Sequence, residues 1–149
     1  MSIVDVANLP TKRILTLDVA SLIADAALQA ATDKGINYLV ISIVDDGGHL
    51  ITLARQSGAE VAAVDIGIAK ARTAAITRKP TQWWTDQLHG GVLAFLAMPG
   101  VTPVGGAHPI RIEGQVVGAI STAGGSFEVD NDICAAALAI LDDGQTIGE

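Results

Sequence analysis

A chain with a single cysteine cannot close an internal disulfide, so whatever holds these 149 residues together is non-covalent. Cys134 lies in an alanine-rich helical pattern, where a thiol reads as a small buried hydrophobe rather than a nucleophile. Aromatic side chains make up only 3% of the residues, against 50% hydrophobic, which leaves Ala, Val and Ile to build the interior. Charged residues are also sparse at 17%, too few to coat a monomer generously, and a homo-oligomer that hides apolar area is expected. Nine basic residues against sixteen acidic ones give a net charge of −7, which repels phosphate backbones and anionic lipid and argues against a nucleic-acid partner.

No uninterrupted apolar run reaches the roughly 18 residues of a membrane span. Met1–Pro10 lacks the basic start and apolar stretch of a signal peptide, so a cytoplasmic location without membrane association is expected. Neither GxxxxGK[ST] nor a strand-borne GxGxxG is present, which removes the usual signatures of a nucleotide cofactor. His49, His89 and His108 stand 40 and 19 residues apart and form no metal-binding spacing, so no metal site is expected from motif. No serine occupies a nucleophile elbow.

Apolar periodicity outlines the elements that are present. Val19, Leu22, Ile23, Ala26, Ala27 and Ala30 recur at helical steps, predicting a first helix over Asp18–Lys34, capped by Thr16 or Asp18 and stopped at Gly35. The run Tyr38–Val44 and the segment His49–Arg55 flank Asp46-Gly47 and read as a hairpin, with His49, Ile51, Leu53 and Arg55 on one face of its second strand. A second helix is expected over Glu60–Ile76, with Gly67, Ala71 and Ala74 as a stripe of small residues. A third follows over Thr81–Leu96, and Pro99, Gly100 and Pro103 mark a loop. Pro109–Ile112 and Gln115–Thr122 flank Glu113-Gly114 as a second hairpin. A last helix is expected to start at Asp130 or Asp132 and to end at Gly144.

The order is helix, hairpin, helices, hairpin, helix, which is an α+β arrangement with antiparallel pairing. No linker divides it, and residues 1–149 are expected to form one domain behind an N-terminal tail of about a dozen residues.

Glycine pairs are the clearest local feature. Gly105-Gly106 and Gly124-Gly125 lie at strand ends, where turn geometry and ligand contact are both open readings. His108, beside Pro109, is a candidate base, donor or iron ligand. Lys70 in the apolar second helix is a candidate catalytic and ligand-binding residue, available with Arg55 and Asp45 as a carboxylate anchor or acid/base group. Two adjacent rings, Trp83-Trp84, cannot both face one core, so one is expected to meet another subunit or a ligand.

Several ordered motifs together resemble the GlcG/HbpS-like family. They are Val44-Asp45-Asp46-Gly47-Gly48-His49-Leu50, Arg55 with Ser57-Gly58-Ala59, Ile68-Ala69-Lys70-Ala71-Arg72-Thr73-Ala74-Ala75, and Pro80-Thr81. In the second half they are Gly105-Gly106 with Pro109-Ile110, Gly114-Gln115-Val116-Val117-Gly118-Ala119-Ile120, and Ala123-Gly124-Gly125. The resemblance spans about residues 15–143. It implies a profilin-like five-stranded antiparallel sheet flanked by helices, with Arg13–Leu17 as the fifth strand, and assembly into oligomers such as octamers. It also implies haem binding in some members, and an unassigned role in glycolate or aromatic catabolic operons in others.

Two departures bear on function. The chain has Gly105-Gly106-Ala107-His108-Pro109-Ile110 where relatives have Gly-Gly-x-Pro-Ile, one residue shorter. The first helix contains no histidine, whereas one haem-binding branch takes its iron ligand there, so ligation would fall to His49, His108 or Met98. The leading expectation is an oligomer that binds a small molecule, haem or a related tetrapyrrole. The alternatives are a small catabolic isomerase, tautomerase or hydrolase acting on an organic acid, and an accessory protein docking a partner enzyme.

Overall fold

The structure, a computed structural model, describes residues 2–147. Thr16 has extended backbone and its hydroxyl accepts the Val19 N–H, which starts α1 over Leu17–Asp33. β1 (Val40–Asp45) and β2 (Leu50–Arg55) form the first hairpin, followed by α2 (Ala62–Thr77) and α3 (Thr81–His89). β3 (Ala107–Ile112), β4 (Gln115–Ala123) and α4 (Phe127–Ile147) complete the chain, with short 3-10 turns at Val6–Asn8 and Leu93–Ala97. The fold is α+β, with a four-stranded antiparallel sheet in the order β2-β1-β4-β3.

The sheet is covered on both faces. Ile41 and Ile43 of β1, with Ile110 of β3 and Ile120 of β4, pack with Ile23 and Ala27 of α1 and Ile133 and Cys134 of α4. Val44 and Ala119 face Ala71, Ala74 and Ala75 of α2 from the opposite side, and Val40 and Ala123 join Ala63 there. Burial on both faces explains why β1 reads as an unbroken β-branched run rather than an alternation. Each fully buried isoleucine contributes about 1.5–3 kcal/mol. α2 lies close to the sheet because it presents Gly67, whose carbonyl accepts the Ser121 hydroxyl of β4 at 2.6 Å.

Four expectations are corrected. Arg13–Leu17 is not a fifth strand: the Arg13 N–H is taken by the Gln115 side chain at 2.6 Å instead of a ladder carbonyl, and α1 already begins at Leu17. In β2 the register slips between Ile43 and Val44, so Ile51 is the extra residue of a bulge. Ile51 therefore packs toward α1 and α4 while Leu53 packs toward α2, which splits the face assigned to them together. The third helix stops at His89, since Gly90-Gly91 breaks it before the separate 3-10 turn. The last helix starts earlier, at Phe127, with the Ser126 hydroxyl accepting the Val129 N–H, and its backbone continues through Gly144 to Ile147.

The outer strands are irregular: β2 carries the bulge, and β3 carries Pro109 opposite Ala119. Glu113 and Gly114 both have positive φ (48° and 77°), which makes the β3–β4 connection a type I′ turn, the hand that matches strand twist.

Candidate functional site

Lys70 sits on the buried side of α2 and is only 1% exposed. An ammonium so placed needs partners of opposite charge or dipole. Its Nζ donates to the Thr122 carbonyl at 2.7 Å and to Asp130 Oδ2 at 2.9 Å. Asp130, on the first turn of α4 and 2% exposed, accepts the Gly125 N–H through Oδ1 at 3.1 Å. Thr122 closes the arrangement by donating its hydroxyl to the Asp130 carbonyl at 2.8 Å. Burial raises the Asp130 carboxyl above its ordinary value, while the Lys70 ammonium pulls the other way.

This pair ties a helix on one face of the sheet to a helix on the other. The ammonium passes the start of β3 only because position 106 has no side chain. A Cβ on Gly106 would stand 2.5 Å from Lys70 Nζ and 2.6 Å from Asp130 Cβ. Cys134 lies against the Gly106 carbonyl at 3.5 Å, and burial pushes its thiol up to about 12, which makes it unreactive at neutral pH.

His108 lies beside this cluster on β3, half-buried against α4. Its Nε2 is 3.0 Å from Asn131 Oδ1; Asn131 Nδ2 donates to Gln82 Oε1 at 2.9 Å, and Gln82 Nε2 donates to Asp86 Oδ1 at 2.8 Å. The chain assigns the imidazole proton to Nε2. Burial lowers the His108 pKa below 6.5, with the Asn131 contact opposing it. A depressed folded-state pKa means that the folded protein binds fewer protons than the unfolded chain. The stabilisation is therefore complete above about pH 6.5 and lost as pH falls through the folded value. Urea unfolding at pH 7.5 and 5.5 should show this loss in the wild type and a smaller one in His108→Gln. Equal losses in both would assign the effect to other groups.

The sequence-predicted residues fall into two groups. Val40 pairs with both Arg55 and Ala123, and Ala107 pairs with Ser121, so Arg55, Gly105-Gly106 and Gly124-Gly125 share one end of the sheet with Lys70. Gly105 and Gly106 border Gln82, Lys70 and Asp130; Gly125 binds Asp130; Gly124 abuts the Tyr38 carbonyl. Arg55 is exposed on the outer strand.

Asp45 is not brought to this cluster. It pairs with Gly118 at the opposite end, where its Oδ1 accepts the N–H groups of Gly47 and His49, each at 2.9 Å. Burial pushes its carboxyl up, but those two N–H groups together with the His49 imidazole more than offset it and the pKa is lowered. Asp130, Asn131, Gln82 and Thr122 are members of the cluster that the sequence reading did not single out. The one signal for Asp130 was the need of an apolar-flanked lysine for a counter-charge.

The two indoles divide as expected from their adjacency. Trp84 is buried and donates to Thr77 Oγ1 at 3.3 Å, whereas Trp83 is part-exposed, edge-on to Trp84 at 4.8 Å, with the Lys79 ammonium 4.8 Å from its ring centre.

Hollows occur at the Asp45 end. An apolar one of about 220 Å³ is lined by Ile14, Leu15, Val19, Ile112 and Val117 among others. A polar cleft, also about 220 Å³, is lined by Lys12, Asp46, Arg78, Arg111, Gly114, Gln115 and Val116. His49 stands at the same end with its side chain 78% exposed and its Nδ1 3.3 Å from Asp45 Oδ1. Among the described residues, no group of three or more His, Cys, Asp or Glu could hold a metal ion, and no helix is long and apolar enough to cross a membrane.

Residues 15–139 match the profile of a family described as haem-degrading protein HbpS-like. Protein GlcG of Escherichia coli K12 is 36% identical over 113 residues, covering 76% of this chain and 84% of that protein. Among solved structures, HbpS superposes with a TM-score of 0.83 at 27% identity over 94% of this chain and 99% of its own. A PduOC–haem complex gives 0.76 at 26% identity over 85% of this chain and 94% of its own.

Proposed function

Because the chain belongs to the HbpS-like family, we propose that it is a self-associating protein that binds a small molecule, with haem or a related tetrapyrrole as the ligand. The observation that carries the reading is His49. Among the described histidines it has one ring nitrogen beside a carboxylate, Asp45, and the other in solvent. Iron-ligating imidazoles are commonly oriented by a carboxylate behind them, which sets the tautomer and raises basicity. His108 fits the role less well, since its Nε2 is already engaged by Asn131.

The apolar hollow, at about 220 Å³, falls short of the ~300 Å³ lower end of ordinary ligand pockets, and the larger one of about 350 Å³ is lined mainly by the polar Thr11, Lys12, Arg13, Glu113 and Gln115, which do not suit a tetrapyrrole face. A tetrapyrrole would therefore lie between copies of the chain. Exposed Ile14 (79%), Leu17 (58%) and Leu22 (62%) supply apolar surface for such an assembly. Bound haem would bring redox-active iron, and the chain's part is to offer an imidazole, hold its tautomer through Asp45 and shield the ring from water.

Titrating the purified protein with hemin should give a saturable Soret shift at fixed stoichiometry. That shift should be lost in His49→Ala and kept in His108→Ala. Absence of a shift in the wild type overturns haem as the ligand, and an unchanged shift in His49→Ala moves the ligation elsewhere.

A further inference from the structure

The polar cleft at the hairpin end has a charge balance unlike that of the rest of the molecule. The chain carries −7 overall, yet three cations, Lys12, Arg78 and Arg111, line this cleft with one carboxylate, Asp46. That carboxylate is already paired, 2.9 Å from Lys12 Nζ. Arg111 donates from Nη2 to the Arg78 carbonyl at 2.8 Å, and neither guanidinium has a carboxylate partner among the described residues. Two guanidiniums on a common hollow present planar N–H donors of the geometry that an oxyanion accepts from.

The backbone supports the same assignment independently. Arg78 ends α2 with φ 57° and ψ 30°, a left-handed conformation that disfavours side chains and is the ordinary place for glycine. Arg78 adopts this conformation in a cleft with two further cations, Lys12 and Arg111, and local strain of this kind collects at binding sites.

We propose that this cleft binds a small oxyanion, an organic dicarboxylate or inorganic phosphate, through Arg78 and Arg111, with the Lys12–Asp46 pair forming its rim. The hollow of about 220 Å³ admits a molecule smaller than a drug-sized ligand. The surrounding negative charge repels anions elsewhere on the surface and leaves this cleft as the favoured point of approach. The site lies on the β3–β4 turn and the end of α2, with Asp46 of the first hairpin on its rim.

Calorimetric titration at constant ionic strength with disodium succinate, sodium phosphate and sodium chloride tests this. Saturable binding of succinate or phosphate, with none for chloride, is expected, and the stronger of the two identifies the ligand class. Arg111→Ala should weaken binding at least tenfold. Arg78→Gly should abolish it while leaving the melting temperature unchanged or higher, because glycine suits that backbone; a lost response there is a lost site rather than a lost fold. Wild-type-like binding in both variants, equal effects of chloride, or no binding of either probe overturns the proposal.

Discussion

Replacing Lys70 with methionine is expected to lower stability by about 3–5 kcal/mol, because it leaves the Asp130 carboxylate buried without its counter-charge. The loss should exceed that of breaking an exposed pair such as Lys12–Asp46, whose charges are screened by solvent. Methionine keeps most of the stem's volume, so the effect is electrostatic and not a cavity. Pairing it with Asp130→Asn should restore part of the loss, as partners in direct contact are not additive. Urea-induced unfolding of the two single variants and the double variant provides the cycle. A Lys70→Met loss under about 1 kcal/mol would mean that water reaches the carboxylate, and that the two helix layers are held by packing alone.

Gly106→Ala is the second large effect. A φ of +106° lies outside the region that side chains tolerate, which costs about 1–2 kcal/mol, and overpacking adds about 1–3 kcal/mol. The added methyl would meet the Lys70 ammonium at 2.5 Å and Asp130 at 2.6 Å, and neither can retreat from a site so deeply buried. Differential scanning calorimetry should therefore show a melting temperature lowered by roughly ten degrees or more, or an insoluble product. Near-wild-type melting would mean that the lysine head group can take another path, and the close-approach argument would fall with it.

These two residues also mark how far the sequence can be read. The β-branched stretch before Asp45, the helical spacing of α1 and the turn at Glu113-Gly114 are local patterns, and the structure has all three within a few residues of their expected bounds. Lys70 and Gly106 were legible as unusual residues, yet what they do depends on Asp130, sixty positions along the chain from Lys70. An aspartate near a helix start reads as a cap, and only the fold shows that Ser126 does the capping while Asp130 accepts from Lys70 and Gly125. The bulge at Ile51 was equally hidden, because an extra residue in one strand is defined by its partner's register and not by its own composition. Arg13–Leu17 has strand-like residues but binds β4 through a glutamine side chain, a choice that hydropathy does not record.

The irregular outer strands have a consequence for assembly. A proline on β3 offers no N–H to an incoming chain, and the bulge on β2 breaks the even spacing that another strand would need. Both margins of the sheet thus disfavour edge-to-edge addition of another strand, and any contact between copies that used them would have to form without a continuous backbone ladder.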